Sequence, residues 1–404
     1  MIPFAPPKIT DEIISAVEKV LRSGWITTGP KTKEFEKKIT EYCGCKSTLC
    51  LNSATAGLEI ALRWYGVKKG DEVILPAYTY SATANVVEHC GAKVVFVDVN
   101  KSDFNISIEK IEKAITSRTK VIMPVDFAGF PCDYEAINEL VKRKDIRKKF
   151  KPHSAEQKKL KRILVVSDSA HSIGATVNGK RTGSLTDISI FSFHAVKNLS
   201  TAEGGAVCLN LPSPFDNEKI YKDLCVKSLH GQNKDALAKT QVGGWRYDII
   251  EAGYKCNMTD IAAVMGLCEL KEYDSDTLLR RKKICDTYTS AFSKYNWAET
   301  PLLKDSKRES CYHLYPLRIK NVSEKQRDEI IKNIFEREVS VNVHFIPVPM
   351  MSHYKKLGYK IKNYPNTFDN YSREISLPVY YNLTEEQTKT VIEAVIDSVQ
   401  KVLG

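Results

Sequence analysis

Between residues 47 and about 210 the chain repeats one alternation: short runs of β-branched and other apolar residues, each followed by a stretch with apolar positions every three or four residues. The runs are Ser47–Leu51, Glu72–Leu75, Lys93–Val97, Lys120–Val125, Ile163–Ser167, Ile188–Phe193 and Ala206–Leu209. Between them, Thr55–Trp64, Ser81–His89, Ile108–Ile115 and Asp133–Lys142 carry the helical spacing. Parallel strands need a long crossover, and a helix covering the sheet is the usual one, so this order specifies βαβ units. The expected fold class is α/β, a large domain whose seven-stranded, mostly parallel sheet is covered by helices on both faces.

A chain of 404 residues exceeds what a single core normally organises, so a second unit is expected. A helix should begin at Met258-Thr259-Asp260, capped by Thr259 or Asp260, with Ile261, Val264, Met265, Leu267 and Leu270 on its apolar face. After Ser310 the pattern reads strand (Tyr312–Ile319), helix (Ser323–Arg337), strand (Val339–Phe345) and a closing helix from Thr384 to Leu403. The division expected is a large domain over 1–255, with an N-terminal helix, and a smaller α+β domain over 256–404 that includes the linking helix.

The composition, 43% hydrophobic and 27% charged, is that of an ordinary folded protein. The N-terminus lacks the basic and apolar regions of a secretory signal, and no run of apolar residues is long enough for a membrane span; a cytoplasmic protein without membrane contact is expected. The eleven cysteines show no CxxC spacing, so they read as reduced thiols and no metal site is expected. Much of the net charge of +11 is concentrated in Lys142–Arg162. That stretch has few aromatics and no nucleic-acid motif, so it reads as a solvated helical or mobile insertion, and nucleic acid is not an expected partner. The charge is compatible with an anionic small substrate.

The chemistry points to Phe191–Gly205, where Lys197 follows a strongly apolar strand and precedes a Gly-Gly turn. A Schiff-base lysine needs a desolvated, fixed position in which its amine can be neutral, and this setting provides one. Asp168 ends the apolar run Ile163–Ser167 at the carboxyl edge of a strand, where open α/β sheets bind ligands. Pyridoxal 5′-phosphate (PLP) requires such an acid beside its pyridinium nitrogen. The turn Ser53-Ala54-Thr55 leads from strand directly into helix and offers backbone N–H groups to a phosphate, with Ser192 as a second hydroxyl. Tyr80, at the mouth of another strand, can stack on a flat ring.

These residues, with Ser23–Pro30, Pro76–Asn85, Asp168–His171, Gly253–Asp260 and His344–Pro347, give the chain a resemblance to the DegT/StrS group of PLP-dependent nucleotide-sugar aminotransferases. The resemblance runs over nearly the whole length. It implies the fold-type I transferase architecture, with Lys197 as covalent anchor and proton carrier, Asp168 on the pyridine nitrogen and His171 near the ring hydroxyl. Tyr80 would stack on the ring, and Ala54, Thr55 and Ser192 would bind phosphate. It further implies a homodimer with shared active sites, in which Asn257 of the neighbouring subunit completes the phosphate site. Thr28, His194 and His344 are candidates for the sugar pocket.

The substrates implied are L-glutamate and a nucleotide-linked keto sugar, reacting in ping-pong fashion toward amino sugars of surface glycans. A PLP-dependent sugar dehydratase and a non-catalytic regulator on the same fold remain alternatives. Ala54 stands where glycine is frequent in the group. Asp126 stands where many members carry histidine, and it is assigned no role. The basic insertion is longer than the usual connection.

Overall fold

The computed structural model describes residues 1–234 and 245–404. Seven strands form the large sheet: β1 (Ser47–Leu51), β2 (Glu72–Pro76), β3 (Lys93–Val97), β4 (Thr119–Ile122), β5 (Leu164–Asp168), β6 (Ile188–Ser192) and β7 (Gly205–Leu209). Their order is β1-β7-β6-β5-β4-β2-β3. The pairings from β6 through β3 are parallel, whereas β7 runs antiparallel to both β1 and β6. β1 therefore shares the direction of the parallel strands. Leu51, Asp168 and Ser192 consequently end on one edge of the sheet, where β7 begins at Gly205.

The helices Ala54–Trp64, Ser81–His89, Ile108–Ala114 and Tyr134–Lys142 form where the spacing requires them. Their apolar faces join the strands in one core that includes Leu58, Leu62, Val86, Ile111, Ile137 and Val165. A second core unites the helices Leu278–Phe292, Glu324–Glu336 and Glu385–Leu403 with a three-stranded sheet of β8 (Ala298–Glu299), β9 (Tyr315–Ile319) and β10 (Glu374–Leu377).

Thr259 caps the helix Asp260–Lys271, accepting from the Ala262 N–H at 3.2 Å. Asp260 does something else. Its buried carboxylate accepts the N–H groups of Gly29 (2.8 Å), Lys31 (3.0 Å) and Thr32 (2.9 Å), capping the neighbouring helix Pro30–Cys43 and favouring its positive end.

Two expectations need correction. The run Val339–Phe345 is not a strand: it makes single bridges, Ile2 to Val339 and Asn342 to Ser376, and the small sheet's third strand is Glu374–Leu377. Alternation misled here because Val339 and Val341 enter this second core while Val343 and Phe345 pack on a separate cluster with Tyr78 and Phe127. The strand expected from Tyr312 begins only at Tyr315, because Tyr312 adopts a left-handed backbone and the buried Arg281 guanidinium takes the carbonyls of Tyr312 (3.0 Å) and His313 (2.8 Å).

The basic insertion is ordered as two short helices, Lys144–Lys149 and Ala155–Leu160. Ile146 and Phe150 anchor it in the large core, Gln157 donates to the Tyr65 carbonyl (3.1 Å), and Arg162 forms a buried two-bond pair with Asp187. No helix among the described residues is long and apolar enough to cross a membrane.

Candidate active site

The sheet edge that collects the ends of β1, β5 and β6 opens into a cavity of about 370 Å³ between the two cores. Lys197, Asp168, His171, Ser192, His194, Tyr80, Ala54, Thr55 and His344 all line it. Thr28 and Asn257 do not. They meet each other outside it, Asn257 Nδ2 donating to Thr28 Oγ1 at 2.6 Å, and Thr28 Oγ1 also bonds to the Met258 carbonyl.

Local structure accounts for each placement. Lys197 stands in a tight turn closed by its N–H to the His194 carbonyl (2.8 Å), directly after β6. Its neighbour Asn198 locks that turn to the segment Cys311–His313, donating to the Cys311 carbonyl (2.7 Å) and accepting from His313 Nδ1 (2.8 Å). Burial pushes the Lys197 ammonium down to about 8, against the opposing pull of Asp168 and of Cys311. About a tenth of the amine is therefore neutral at pH 7, against well under a thousandth for an ordinary lysine.

Asp168 is buried at the end of β5. Its Oδ1 accepts the Ala170 N–H (3.2 Å) and its Oδ2 the Thr83 hydroxyl (2.8 Å), and Thr83 shares a hydrogen bond with Thr79 (2.8 Å). Burial raises its carboxyl above the usual range, while Thr83, the Ala170 N–H and Lys197 oppose that rise. Lys197 and Asp168 influence each other without forming an ion pair among the described residues, so they flank the cavity and leave its centre open.

At the start of helix Ala54–Trp64, the Ser53 hydroxyl claims the Ala56 N–H (3.1 Å). The N–H groups of Ala54 and Thr55 have no intrahelical partners and stand at the positive end of the helix, where an anion is favoured. Gly205 lies between Leu51 and Ser192 in the sheet, and a Cβ there would sit 2.4 Å from the Ala54 nitrogen. A side chain would therefore push the helix start out of place.

Three imidazoles complete the wall. His171 and His313 pack at 4.4 Å between ring centroids, and His344 stacks on Phe4 at 5.5 Å. All three are held neutral, primarily by burial; Lys197 adds to the effect on each, and His344 is pushed down to about 3. His171 Nδ1 is buried without a hydrogen-bond partner, a polar atom poised for a ligand group. Tyr80 is 61% exposed and leans on Phe345 at 5.7 Å, so one face of its ring is available for stacking.

The donor set fits PLP. An amine of lowered basicity, a buried carboxylate, a helix start with free N–H groups and an unpaired imidazole nitrogen match an aldehyde, a ring nitrogen, a phosphate and a ring hydroxyl in turn.

Thr83, Asn198, His313 and Phe345 were not singled out by sequence reasoning. Thr83 lies in an ordinary helical pattern, and His313 looks like a strand residue; only the contacts of Thr83 with Asp168, of His313 with Asn198 and of Phe345 with Tyr80 and His171 reveal them.

The family model of the DegT/DnrJ/EryC1/StrS aminotransferases matches residues 7–148 and 153–396. The chain belongs to this family. The break in the match, residues 149–152, lies inside the basic insertion. The spore coat polysaccharide biosynthesis protein SpsC of Bacillus subtilis is 37% identical over 406 residues, covering 99% of this chain and 97% of SpsC. Among solved structures, the putative sugar aminotransferase Spr1654 from Streptococcus pneumoniae in its PMP-form is 45% identical, with a TM-score of 0.96 over the whole of both chains. A PLP-form of Spr1654 matches at a TM-score of 0.95 and 43% identity over the whole of both chains. Helicobacter pylori PseC, an aminotransferase involved in the biosynthesis of pseudoaminic acid, is 27% identical over 99% of each chain with a TM-score of 0.85. The chain is thus an aminotransferase of fold-type I architecture.

Proposed function

We propose that this aminotransferase uses pyridoxal 5′-phosphate to pass an amino group from L-glutamate to the keto group of a nucleotide-linked sugar, in the cytoplasm, for amino sugars of surface glycans. The observation that carries the reading is the pairing of Lys197, its basicity lowered to about 8, with the buried carboxylate of Asp168 across one open cavity. The solved PLP- and PMP-forms of Spr1654 support the cofactor. That Spr1654 is a putative sugar aminotransferase and PseC acts in pseudoaminic acid biosynthesis supports a sugar substrate, and the name of SpsC supports a polysaccharide as destination. Eleven free thiols suit a reducing compartment.

Bound in the cavity, the cofactor supplies an aldehyde that captures amines and a protonated ring that accepts the electron pair left when a proton departs from the amine-bearing carbon. Lys197 would hold the cofactor through its Nζ, and that Nζ, once free, would take and return the substrate proton, a task suited to a group titrating near neutral pH. Asp168, oriented by Thr83 and the Ala170 N–H, keeps the ring nitrogen protonated. Ala54, Thr55 and Ser192 bind the phosphate, His171 meets the ring hydroxyl, and Tyr80 covers the ring. Asn257 reaches the phosphate of the neighbouring subunit in a homodimer. His194 and His344 contact the sugar, and Thr28, which lies with Asn257 outside the chain's own cavity, contacts that of the neighbouring subunit.

The test is amino transfer from glutamate to a panel of UDP-, GDP- and dTDP-linked keto sugars, with release of 2-oxoglutarate. Transfer to at least one, abolished in Lys197→Ala, is expected. A wild-type enzyme that binds PLP and aminates none of them would overturn the substrate class.

A further inference from the structure

On the small-domain side of the cavity, a fully buried carboxylate is connected to an imidazole through one hydroxyl. Glu374, at the start of β10, accepts the His344 backbone N–H on Oε2 (3.1 Å) and the Ser376 hydroxyl on Oε1. Ser376 Oγ in turn meets His344 Nδ1 at 2.9 Å. The arrangement is rigid. Ser376 and Asn342 exchange both backbone hydrogen bonds (3.1 and 2.8 Å), the Tyr78 hydroxyl donates to the His344 carbonyl, and Phe4 stacks on the ring.

A serine hydroxyl has one hydrogen. When Glu374 is ionised, that hydrogen goes to the carboxylate, and Oγ can only accept from His344. The imidazole must then carry its proton on Nδ1. Its Nε2, which has no protein partner among the described residues, is left as a lone pair on a ring that lines the cavity.

We propose that Glu374, acting through Ser376, is a positioning residue that sets the tautomer of His344, so that Nε2 offers a proton acceptor to a hydroxyl of the sugar bound in the cavity whenever Glu374 is ionised. The substrate half of this inference rests on the sugar-aminotransferase reading above; the tautomer half does not.

The charges facing the relay are named readily. Arg318 of β9 and Arg327 of helix Glu324–Glu336 favour the ionised carboxylate, Tyr78 approaches from the large domain, and Lys197, His171 and His313 stand across the cavity. Burial outweighs the hydrogen bonds and the two arginines and pushes Glu374 up to about 8. Protonation reverses the chain of donors: Glu374 donates to Ser376, Ser376 to Nδ1, and the imidazole proton moves to Nε2.

The substitution Glu374→Gln produces the same reversal at every pH. The His344 N–H requires the amide oxygen, so the amide nitrogen faces Ser376 and the serine hydrogen turns to Nδ1.

The experiment is ¹⁵N NMR of the PLP-loaded protein with labelled histidine, the His344 signals being assigned by their loss in His344→Asn. At about pH 9, a unit above the Glu374 titration, wild type should show a pyridine-type Nε2, and Glu374→Gln a pyrrole-type Nε2. In Ser376→Ala the Nε2 signal should lose its pH step through about 8. A pyrrole-type Nε2 in wild type at that pH, an unchanged signal in Glu374→Gln, or a persisting step in Ser376→Ala would overturn the relay.

In parallel, at about pH 9, where Glu374 is ionised, Glu374→Gln should lower kcat/KM for the accepted keto sugar about tenfold, the equivalent of one hydrogen bond, while the glutamate half-reaction stays within about twofold. Equal losses in both half-reactions would overturn the role toward the sugar. A reversed tautomer with no sugar aminated by wild type would refute the substrate reading and support the relay.

Discussion

Replacing Thr83 by valine removes one hydroxyl from beneath the reacting centre and changes little else. Thr83 is buried, and valine preserves its branched shape. The lost bond, Thr83 Oγ1 to Asp168 Oδ2 at 2.8 Å, is a hydrogen bond to a charged group, which contributes about 1.5–3 kcal/mol. Burial already raises the Asp168 carboxyl, and Thr83 heads the groups that oppose it. Without that hydroxyl the carboxylate is a poorer partner for the ring nitrogen, and Thr79 loses its partner as well. At 1.36 kcal/mol per tenfold, the glutamate half-reaction should slow about 10- to 100-fold, with weaker cofactor binding. Single-turnover absorbance of the loaded enzyme measures the first, and cofactor titration the second. Thr83→Ser, which keeps the hydroxyl, should recover most of both. A Thr83→Val enzyme within about twofold of wild type in both measurements would refute the reasoning.

Other consequences are equally concrete. Capture of PLP by the apo-protein needs the neutral amine, so its rate should rise with pH and level off above about 8; a rise continuing to 10.5 would show Lys197 to be unperturbed. Because the folded-state pKa of Lys197 is depressed, its charge opposes folding below about pH 8, and the penalty disappears as pH rises to about 10.5. Lys197→Met should therefore raise the apo-protein's Tm at pH 7 and lose that advantage near pH 10.5, a difference calorimetry would read. Gly205→Ala should weaken PLP binding at least about tenfold, because the new Cβ meets backbone at 2.4 Å that no side-chain rotation relieves; titration of the folded variant tests this. Mixing Lys197→Ala with Asn257→Asp, each inactive alone, should restore about a quarter of wild-type activity if sites are shared across a two-fold dimer, and none if each chain is self-sufficient.

Strand existence was legible because strands in a helix-covered sheet are short, mostly apolar runs, and Ser47–Leu51 and Lys93–Val97 match the observed bounds. Strand order was not. That β7 inserts between β1 and β6 depends on non-local pairing that no local pattern encodes. The sheet-edge end of the candidate site was legible because Asp168 ends one strand and Lys197 and Ser53–Thr55 each follow another, where sheet direction makes their ends converge. The end next to the second core was less so: Glu374–Leu377 is four residues long and starts with a buried glutamate, so no alternation marks it as a strand. Asp126, given no role, proves to be a buried structural acceptor for Cys132 N–H, Tyr134, Ser169 and Ser172, tying the end of β5 to the neighbouring loop.

Borohydride reduction of the PLP-loaded protein, followed by peptide mapping, goes to the centre of the account. A phosphopyridoxyl group on the peptide containing Lys197, absent from Lys197→Ala, is the predicted result. The group on any other lysine, or its retention in the variant, would contradict it.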